Sequence, residues 1–370
     1  MPSLRWNRQG LQSPKVFSNA LTWSLTIDNI VIPFERLANI RVSSSFSGLG
    51  TSGICRQVLT ADIMLDGESF SQGAKCVLAD SDGKFKFPDF YINTRRKKGN
   101  VLSISAIDRT VYLGQMFDYT VVASEKDNRY GLNDGEVAED AVVLISSVMS
   151  ALYTQCGFSG VSYSDGAVTK WPYSYIKGKS CQQIAESVSA MLCGFWACDS
   201  SNKLVFRRWS APDSVLTASA ASEIVTSSEK GPITRVVATN SITKSTFDTM
   251  GSTDFMEILK ISADYLTEAQ ASAVLSAYSG KMFYGWSAKA EINAVAELGG
   301  DFGGYPIGKY TMVPHFNGLG AELGASDFSE SEFDFIGEIS AKLSQKLGLC
   351  EIMGNVTVSP DGLELVGRYD

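Results

Sequence analysis

The stretch SCQQIAESVSAMLCGFWACDSSNKLVFRRW, residues 180–209, contains the pattern of a complete helix followed by a pair of strands. Ser180 and Gln183 have the spacing of a capping box, which satisfies free backbone N–H groups at the start of a helix. Four apolar residues then recur on one helical face: Ile184, Val188, Met191 and Leu192. Gly194 ends the helix, and the aromatic-rich runs FWAC and LVFRRW flank a polar turn. We therefore predict a small α+β unit over residues 135–210.

A further helix is predicted in the first part of this unit. The run EVAEDAVVLISSVMSALYTQCG, residues 136–157, has apolar residues at helical spacing before Gly157. These apolar residues are Val137, Val142, Leu144, Ile145, Val148, Met149 and Leu152. The pattern predicts a helix of about four turns.

Residues 16–134 show the alternating period of β-strands instead. The alternating runs are LTWSLTI (21–27), IVIPF (30–34), ICRQVLTADIML (54–65), KFKFPDFYI (84–92) and VLSISAI (101–107). Asp-Gly dipeptides at 66–67 and 82–83 indicate turns, and Lys-Gly-Asn at 98–100 indicates a hairpin loop. We predict an antiparallel β-barrel-like domain here, preceded by an N-terminal arm over residues 1–15.

The strand pattern returns over residues 211–328, where we predict a second antiparallel β-barrel-like domain. Its strand-like runs are ITRVVATNSITKSTF, MEILKISA, FYGWSAKAEINAVAE and GKYTMVPHFNGLGAELGAS, and TEAQASAVLSAYSG (267–280) predicts an inserted helix. Residues 329–370 predict a C-terminal appendage, with a helix at 333–348 followed by the strand pair IMGNVTV and LELVGRY. The predicted fold class is thus mainly β, with α+β character.

Composition restricts the class of protein. The chain has 370 residues, 44% of them hydrophobic and 19% charged, and no apolar run approaches the roughly 20 residues of a membrane span. We expect a globular protein of two or more domains without a membrane span. The N-terminal sequence lacks the apolar core of a secretory signal, which favours folding in a cytoplasm. The seven cysteines are odd in number and irregularly spaced, which favours reduced, mostly buried thiols.

Charge argues against a broad nucleic-acid-binding surface. The formal net charge is -8 at pH 7, whereas affinity for nucleic acid comes largely from Lys and Arg displacing counterions around phosphates. We expect that DNA can pass this protein without being bound by it.

Several short segments resemble nucleotide-binding or metal-binding motifs, but each lacks a feature that the motif requires. The sequence GLGTSG at 48–53 is followed by a strand pattern rather than a phosphate-binding helix. The loop DSDGKF at 80–85 has its glycine at the wrong position for calcium. Cys193 and Cys198 have no nearby histidine to complete a zinc site, and His315 is the single histidine of the chain. We predict no catalytic, cofactor or metal site, so the chain is not expected to be an enzyme.

Two clusters remain as candidate partner contacts. The first is the basic run Arg95, Arg96, Lys97 and Lys98 at a predicted hairpin tip, either simply solvated or in contact with an acidic partner or passing DNA. The second is WPYSY, where Trp171, Tyr173 and Tyr175, if exposed, would form a platform for sugars. A glycosidase also stays open, because 40 acidic residues can bring two carboxylates together, although no spacing predicts it.

The order of elements resembles the baseplate hub family of tailed phages, prophages and phage-derived contractile devices. Three segments carry the resemblance: FYINTRRKKGNVLSISAIDRTVYLGQMF, AVVLISSVMSALYTQCGF and KGKSCQQIAESVSAMLCGFWACDSSNKLVFRRWS. In the first of them, Ile107, Asp108 and Leu113 are similar to the short turn that closes the family's first barrel. The inserted helix and closing hairpin of its second barrel resemble 265–300 and 310–326, so the resemblance covers roughly residues 15–325.

This resemblance implies a structural role. Hub proteins form a homotrimer whose two barrels per chain make a ring, which joins the hexameric tail tube to a central spike, fibre or tail tip. The implied partners are the tail tube or distal tail protein ring, the tape-measure protein and the spike, fibre or tip protein, with DNA only in passage through the lumen. The implied location is the virion tail, or an extracellular phage-tail-like particle, assembled in the host cytoplasm. The alternative function is a cell-surface carbohydrate-binding adhesin module of a tail tip.

Overall fold

The structure is a computed structural model that describes most of the chain. The described residues are 21–46, 53–124, 132–133, 136–137, 142–163, 170–208, 214–221, 223–230, 233–251, 257–281, 283–325, 356–359 and 362–365. The predicted N-terminal arm, the segment GLGTSG apart from its last glycine, and the predicted helix at 333–348 lie outside the described residues.

Strands dominate both halves of the chain. In the first half they are β1 Trp23–Ile27, β2 Ile30–Pro33, β3 Leu37–Ser45, β4 Gly53–Cys55, β5 Val58–Met64, β6 Lys75–Asp80, β7 Phe90–Lys98, β8 Val101–Asp108, β9 Leu132–Asn133, β10 Glu136–Val137, β11 Val142–Leu144, β12 Val161–Ser162 and β13 Lys170–Pro172. In the second half they are β14 Phe195–Cys198, β15 Leu204–Arg207, β16 Ala218–Ala221, β17 Val225–Lys230, β18 Ile233–Asn240, β19 Thr246–Met250, β20 Glu257–Ala263, β21 Phe283–Ile292, β22 Asp301–Phe302, β23 Tyr305–Pro306, β24 Lys309–His315, β25 Gly318–Gly324, β26 Val356–Ser359 and β27 Gly362–Leu365.

Helices are fewer and lie mostly in the middle of the chain. They are α1 Tyr119–Ser124, α2 Ile145–Gln155, α3 Tyr173–Ile176, α4 Cys181–Leu192 and α5 Glu268–Tyr278, with short 3-10 helices at Phe34–Arg36 and Arg109–Gly114. The mainly β class predicted from the sequence is confirmed.

A twelve-stranded sheet organises the molecule. Its order is β16-β21-β25-β24-β3-β5-β8-β7-β6-β1-β2, and β17 also pairs with β21. Strand β24 pairs antiparallel with β3, placing Lys309 opposite Ser45 and Met312 opposite Val42. Strands from both predicted β domains therefore share one continuous sheet, which does not close on itself among the described strands. The domain boundaries stay predictions.

The capped helix and the strand pair predicted at 180–209 are confirmed. Helix α4 begins with the capping box of Ser180 and Gln183, and β14 and β15 pair antiparallel after it. The buried indole of Trp196 in β14 donates a hydrogen bond to the Ala185 carbonyl of α4 at 2.8 Å. Strand β4 pairs in parallel with β14, so this unit is attached to the first half of the chain by strand pairing as well as by packing.

Two predicted elements differ from the structure. The predicted four-turn helix begins only at Ile145, because Val142–Leu144 pairs as a strand with β13 and Val137 lies in β10. The run predicted as a strand from Lys84 becomes one only at Phe90. The cause is Asp80, whose carboxylate accepts backbone hydrogen bonds from Lys84 and Phe85 and holds the preceding residues in a turn.

The second half of the chain adds a smaller layer. Strands β19, β18 and β20 form a three-stranded sheet, and α5, capped by Thr267 and Gln270, packs beside it. Buried Tyr278 at the end of α5 donates a hydrogen bond to the Cys193 carbonyl at 3.1 Å, which fixes this layer to the middle unit. The predicted C-terminal strand pair is confirmed as β26 and β27.

Candidate functional site

A groove of about 1140 Å³ lies where the two halves of the large sheet meet. One wall is the sheet face formed by β3, β24, β25, β21 and β17, and the other is formed by α4 and the chain between β4 and β5. Its charged lining residues are Arg56, Glu186, Glu223, Lys289, Lys309 and Glu322. Among the described lining residues, cations and carboxylates are equal in number, so these residues give the groove no single charge preference.

The helical wall of the groove is held by a chain of hydrogen bonds. Arg56 donates to the Gln182 side chain at 2.8 Å, and Gln182 donates to Glu186 at 2.8 Å. Since Gln182 and Glu186 lie one turn apart on α4, the helix presents both on one side. This arrangement orients the guanidinium group and limits its freedom to recruit a ligand.

The sheet wall is a cross-strand row of polar side chains. Lys289 lies opposite Glu322, Glu322 opposite Thr311, and Thr311 opposite Ser43. The Lys289 ammonium contacts Glu322 at 2.8 Å, which raises the pKa of Lys289 and lowers that of Glu322. Both side chains are largely exposed, so this ion pair contributes little to stability. The row suits contact with a polar polymer or protein segment.

A buried carboxylate lies between the first half of the chain and the middle unit. Asp108 is fully buried and accepts hydrogen bonds from the backbone N–H groups of Gln57 at 2.8 Å and Thr110 at 2.9 Å. Burial raises the pKa of Asp108 to about 6, and the hydrogen bonds from Thr110 and Gln57 oppose that rise. The Gln57 side chain also donates to the Cys198 carbonyl. Asp108 therefore helps to join the first half of the chain to the middle unit. The surrounding residues enclose its carboxylate, so a substrate cannot reach it.

The described cysteines are buried in the core, and His315 is held by hydrogen bonds. The six described cysteines are buried, which confirms the predicted burial for those six: Cys55, Cys76, Cys156, Cys181, Cys193 and Cys198. His315 hydrogen bonds to Glu291 at 2.8 Å and to the Phe316 carbonyl at 2.9 Å near the tip of the β24–β25 hairpin. Within the described ranges, no cluster of His, Cys, Asp and Glu side chains has the grouping of a metal site.

The basic run occupies the position that the sequence predicts. It forms the end of β7, and Lys98 lies opposite Val101 across a turn made by Gly99 and Asn100. All four cationic residues are exposed, namely Arg95, Arg96, Lys97 and Lys98. Gly99 has a φ of 61°, which a glycine adopts without strain. The hairpin is confirmed, and its role in binding stays a prediction.

The aromatic cluster differs from expectation. Trp171 is fully buried, Tyr173 is 6% exposed and Tyr175 is half-buried, so an exposed sugar platform does not form and that expectation is wrong. Tyr175 instead donates a hydrogen bond to Asp264 at 2.7 Å and packs edge-on against Tyr265. Tyr175 is thus covered by the chain that follows β20, whereas Tyr173 donates a hydrogen bond to the Tyr119 carbonyl at 3.1 Å.

Sequence reasoning missed the groove and the role of Asp108. The groove brings Arg56, Glu186 and Glu322 together from distant parts of the chain, so no local spacing indicates it. Asp108 does have a local signal, since aspartate is a preferred residue at a helix N-cap, the position it holds before the 3-10 helix at Arg109–Gly114. Among the described helices, none is both long enough and apolar enough to span a membrane.

Comparisons with known proteins identify the fold. No protein-family profile and no curated protein sequence matches this chain. It is similar to the prophage tail protein gp18 from Listeria monocytogenes EGD-e, with a TM-score of 0.50 and 10% identity over 89% of this chain and 100% of that chain. The 43 kDa tail protein of prophage MuSo2 from Shewanella oneidensis gives a TM-score of 0.49 and 10% identity over 85% and 100%. A tail protein from Neisseria meningitidis MC58 gives 0.48 and 11% over 82% and 95%. The chain thus shares its overall fold with the Listeria prophage tail protein.

Proposed function

We propose that this chain is a structural hub at the distal end of a phage or phage-like tail. In this proposal three copies form a ring that joins the hexameric tail tube to a central spike, fibre or tail tip. The observation that carries it is the fold shared with the Listeria prophage tail protein, which spans 89% of this chain and all of that one. The order of elements in the sequence supports the same role independently of that comparison.

The internal construction suits a component that carries load. Strands β3 and β24 join the two halves through backbone hydrogen bonds, and β4 and β14 join the first half to the middle unit. Because these connections are strand pairings rather than flexible linkers, the halves cannot separate without breaking the sheet. A rigid body of this kind is what a connector between a tube and a tip requires.

The two side chains that could act in catalysis, Asp108 and His315, instead make structural hydrogen bonds. Asp108 is enclosed and bonded to backbone N–H groups, and His315 is bonded to Glu291. Reactive groups in enzymes are instead placed at a cleft where a substrate reaches them. These structural roles support a non-enzymatic role, with any digestion of the cell wall performed by another subunit.

The proposed setting follows from the same role. The chain would be assembled in the host cytoplasm and would function in the virion tail or in an extracellular phage-tail-like particle. Its neighbours would be the tail tube or distal tail protein ring, the tape-measure protein and the central tip protein. A net charge of -8 supports the view that DNA only passes through the lumen.

The alternative, a carbohydrate-binding adhesin module, loses its principal support in the structure. Trp171 and Tyr173 are buried among other residues of the chain, where no sugar ring can stack on them. A glycan array with the purified chain tests this alternative directly. Specific glycan binding would favour it over the hub.

The proposal is tested by co-assembly. The purified chain is mixed with the tail-tube and tail-tip proteins of the same phage or phage-like particle, and complexes are separated by size and viewed by electron microscopy. We expect threefold rings that bind tube protein on one side and tip protein on the other, through interfaces above the roughly 1,000 Å² typical of stable assemblies. A stable monomer that binds neither protein would overturn the proposal.

A further inference from the structure

The hairpin of β7 and β8 projects beyond its neighbouring strand. Strand β6 pairs with β7 only at Tyr91 and Phe90, and the loop before β6 continues this contact to Ile92. From residue 94 to residue 98, β7 pairs with β8 on one side and with no described strand on the other. The outer edge of this arm therefore presents backbone groups that can accept another strand.

Both faces of the arm carry cations, and one face also carries an exposed apolar pair. Directly opposed residues of an antiparallel pair lie on the same face of the sheet. Lys98 lies opposite Val101, and Val101 lies opposite Met64 of β5, so these three share a face. Val101 is 39% exposed and Met64 is 59% exposed. Met64 lies two strands away from β7, beyond the reach of a strand added to the outer edge, so we call the four cations at 95–98 the basic tip.

The positive charge of the basic tip is not neutralised within the described chain. No described carboxylate lies within ion-pair distance of Arg95, Arg96, Lys97 or Lys98. The carboxylate closest in register is Asp62, which faces Arg96 across Ser103. Asp62 is already engaged by hydrogen bonds from Ser103 and Asn39, which lower its pKa. A cationic tip on a chain of net charge -8 marks a site where the local charge opposes the overall charge.

We propose that the basic tip binds an extended acidic segment of a partner protein, which adds a strand to the outer edge of β7. Main-chain hydrogen bonds to the arm would fix the segment. Because side chains of a strand alternate between its two faces, its carboxylates on one face would lie against Arg96 and Lys98, which share a face of β7. Binding of such a segment does not require the chain to form a trimeric ring.

An acidic protein segment fits this surface better than nucleic acid does. The free strand edge offers hydrogen bonds that a peptide backbone complements directly, whereas a phosphate backbone has no N–H donors with which to continue the strand pairing. Because the tip is exposed, we expect binding that weakens with salt, as solvent-exposed charge pairs do.

The test uses the full chain and a short fluorescent peptide of alternating glutamate and valine. A peptide with lysine in place of glutamate and a single-stranded DNA oligonucleotide serve as comparison probes, and anisotropy reports binding. We expect the acidic peptide to bind at low salt and to bind about tenfold more weakly after Arg96→Glu with Lys98→Glu. Met64→Gln, two strands away from β7, should leave binding unchanged, and Arg96→Lys should preserve it.

A matched control separates this site from general charge effects. Lys86→Glu with Lys281→Glu makes the same change in net charge at two other exposed lysines and should leave peptide binding unchanged. Circular dichroism of each variant confirms that it folds. The proposal would be overturned if the control double variant lost as much affinity for the acidic peptide as Arg96→Glu with Lys98→Glu. It would also be overturned if the lysine peptide bound as tightly as the acidic peptide, or if DNA bound more tightly than the acidic peptide.

Discussion

Met312 in β24 lies directly opposite Val42 in β3, and neither side chain is exposed to solvent. This pair belongs to the four-residue pairing that joins the two β halves of the chain. Its burial means that the junction has an apolar core on one face and the polar groove on the other. The stability of the whole sheet should therefore depend on this contact.

We expect Met312→Ala to lower the free energy of unfolding by roughly 2–5 kcal/mol, because truncation leaves a cavity at the junction. The neighbouring Thr311→Ala, on the half-exposed groove face, should change it by less than about 0.5 kcal/mol. Urea denaturation followed by circular dichroism measures both values. If the two substitutions had equal effects, the junction would not be a buried core.

Asp108 should make stability depend on pH in an unusual direction. Its pKa is raised to about 6 by burial, whereas an unfolded aspartate titrates near 3.8. Between those values the folded chain holds a proton that the unfolded chain has lost, so the contribution of Asp108 to stability falls as pH rises. The slope of this contribution approaches about -1.4 kcal/mol per pH unit.

Asp108→Asn removes that titration while keeping the shape of the side chain. As pH falls from about 6 to about 4, the unfolding free energy of the original chain should rise relative to that of this variant. Denaturant unfolding at several pH values gives the difference. If the unfolding free energies of the two proteins changed in parallel with pH, the pKa of Asp108 would be the same in the folded and the unfolded chain.

Gly194 should be intolerant of any side chain. A Cβ atom at this position would lie 2.3 Å from the Arg207 carbonyl oxygen and 2.4 Å from the Phe206 ring. Gly194→Ala should cost about 1–3 kcal/mol or more, since β14 and β15 would have to separate. Gly114→Ala, where a Cβ meets no atom within 4 Å, is the matched substitution and should be nearly neutral. Thermal unfolding of the two variants distinguishes them, and similar melting temperatures would refute the packing described for Gly194.

Tyr175 should act as a link between the middle unit and the second half. Its hydroxyl donates to Asp264 at 2.7 Å and lies 3.0 Å from the Ser187 hydroxyl. Tyr175→Phe should therefore cost about 1.5–3 kcal/mol through the lost hydrogen bond to a carboxylate. Tyr153→Phe on α2 removes a hydroxyl from another half-buried tyrosine and serves as the control, with an expected cost under about 0.5 kcal/mol. A loss for Tyr153→Phe as large as that for Tyr175→Phe would argue against the link.

The sequence predicts elements whose signals are local. The capping boxes at Ser180 and Thr267 appear in both sequence and structure, because the bonds that begin a helix join residues three positions apart. The Gly-Asn turn after Lys98 is similarly local, and it fixes the hairpin register. The mainly β class follows from the alternating runs for the same reason.

Features that depend on distant parts of the chain escape sequence reasoning. Strand β3 ends in a run of serines with no alternating apolar signal, and its pairing with β24 joins residues far apart in sequence. The WPYSY aromatics look like a surface platform until the packing partner that buries Trp171 is known. The groove arises in the same way, since its walls meet only after the sheet and α4 have assembled.

The oligomeric state and shape of the purified chain, measured by native mass spectrometry and electron microscopy on one preparation, test the trimeric hub directly. We expect a mass three times that of one chain, and ring-shaped particles with threefold symmetry around a central channel. A monomer that stays a monomer in the presence of its tail-tube and tail-tip proteins would contradict this proposal.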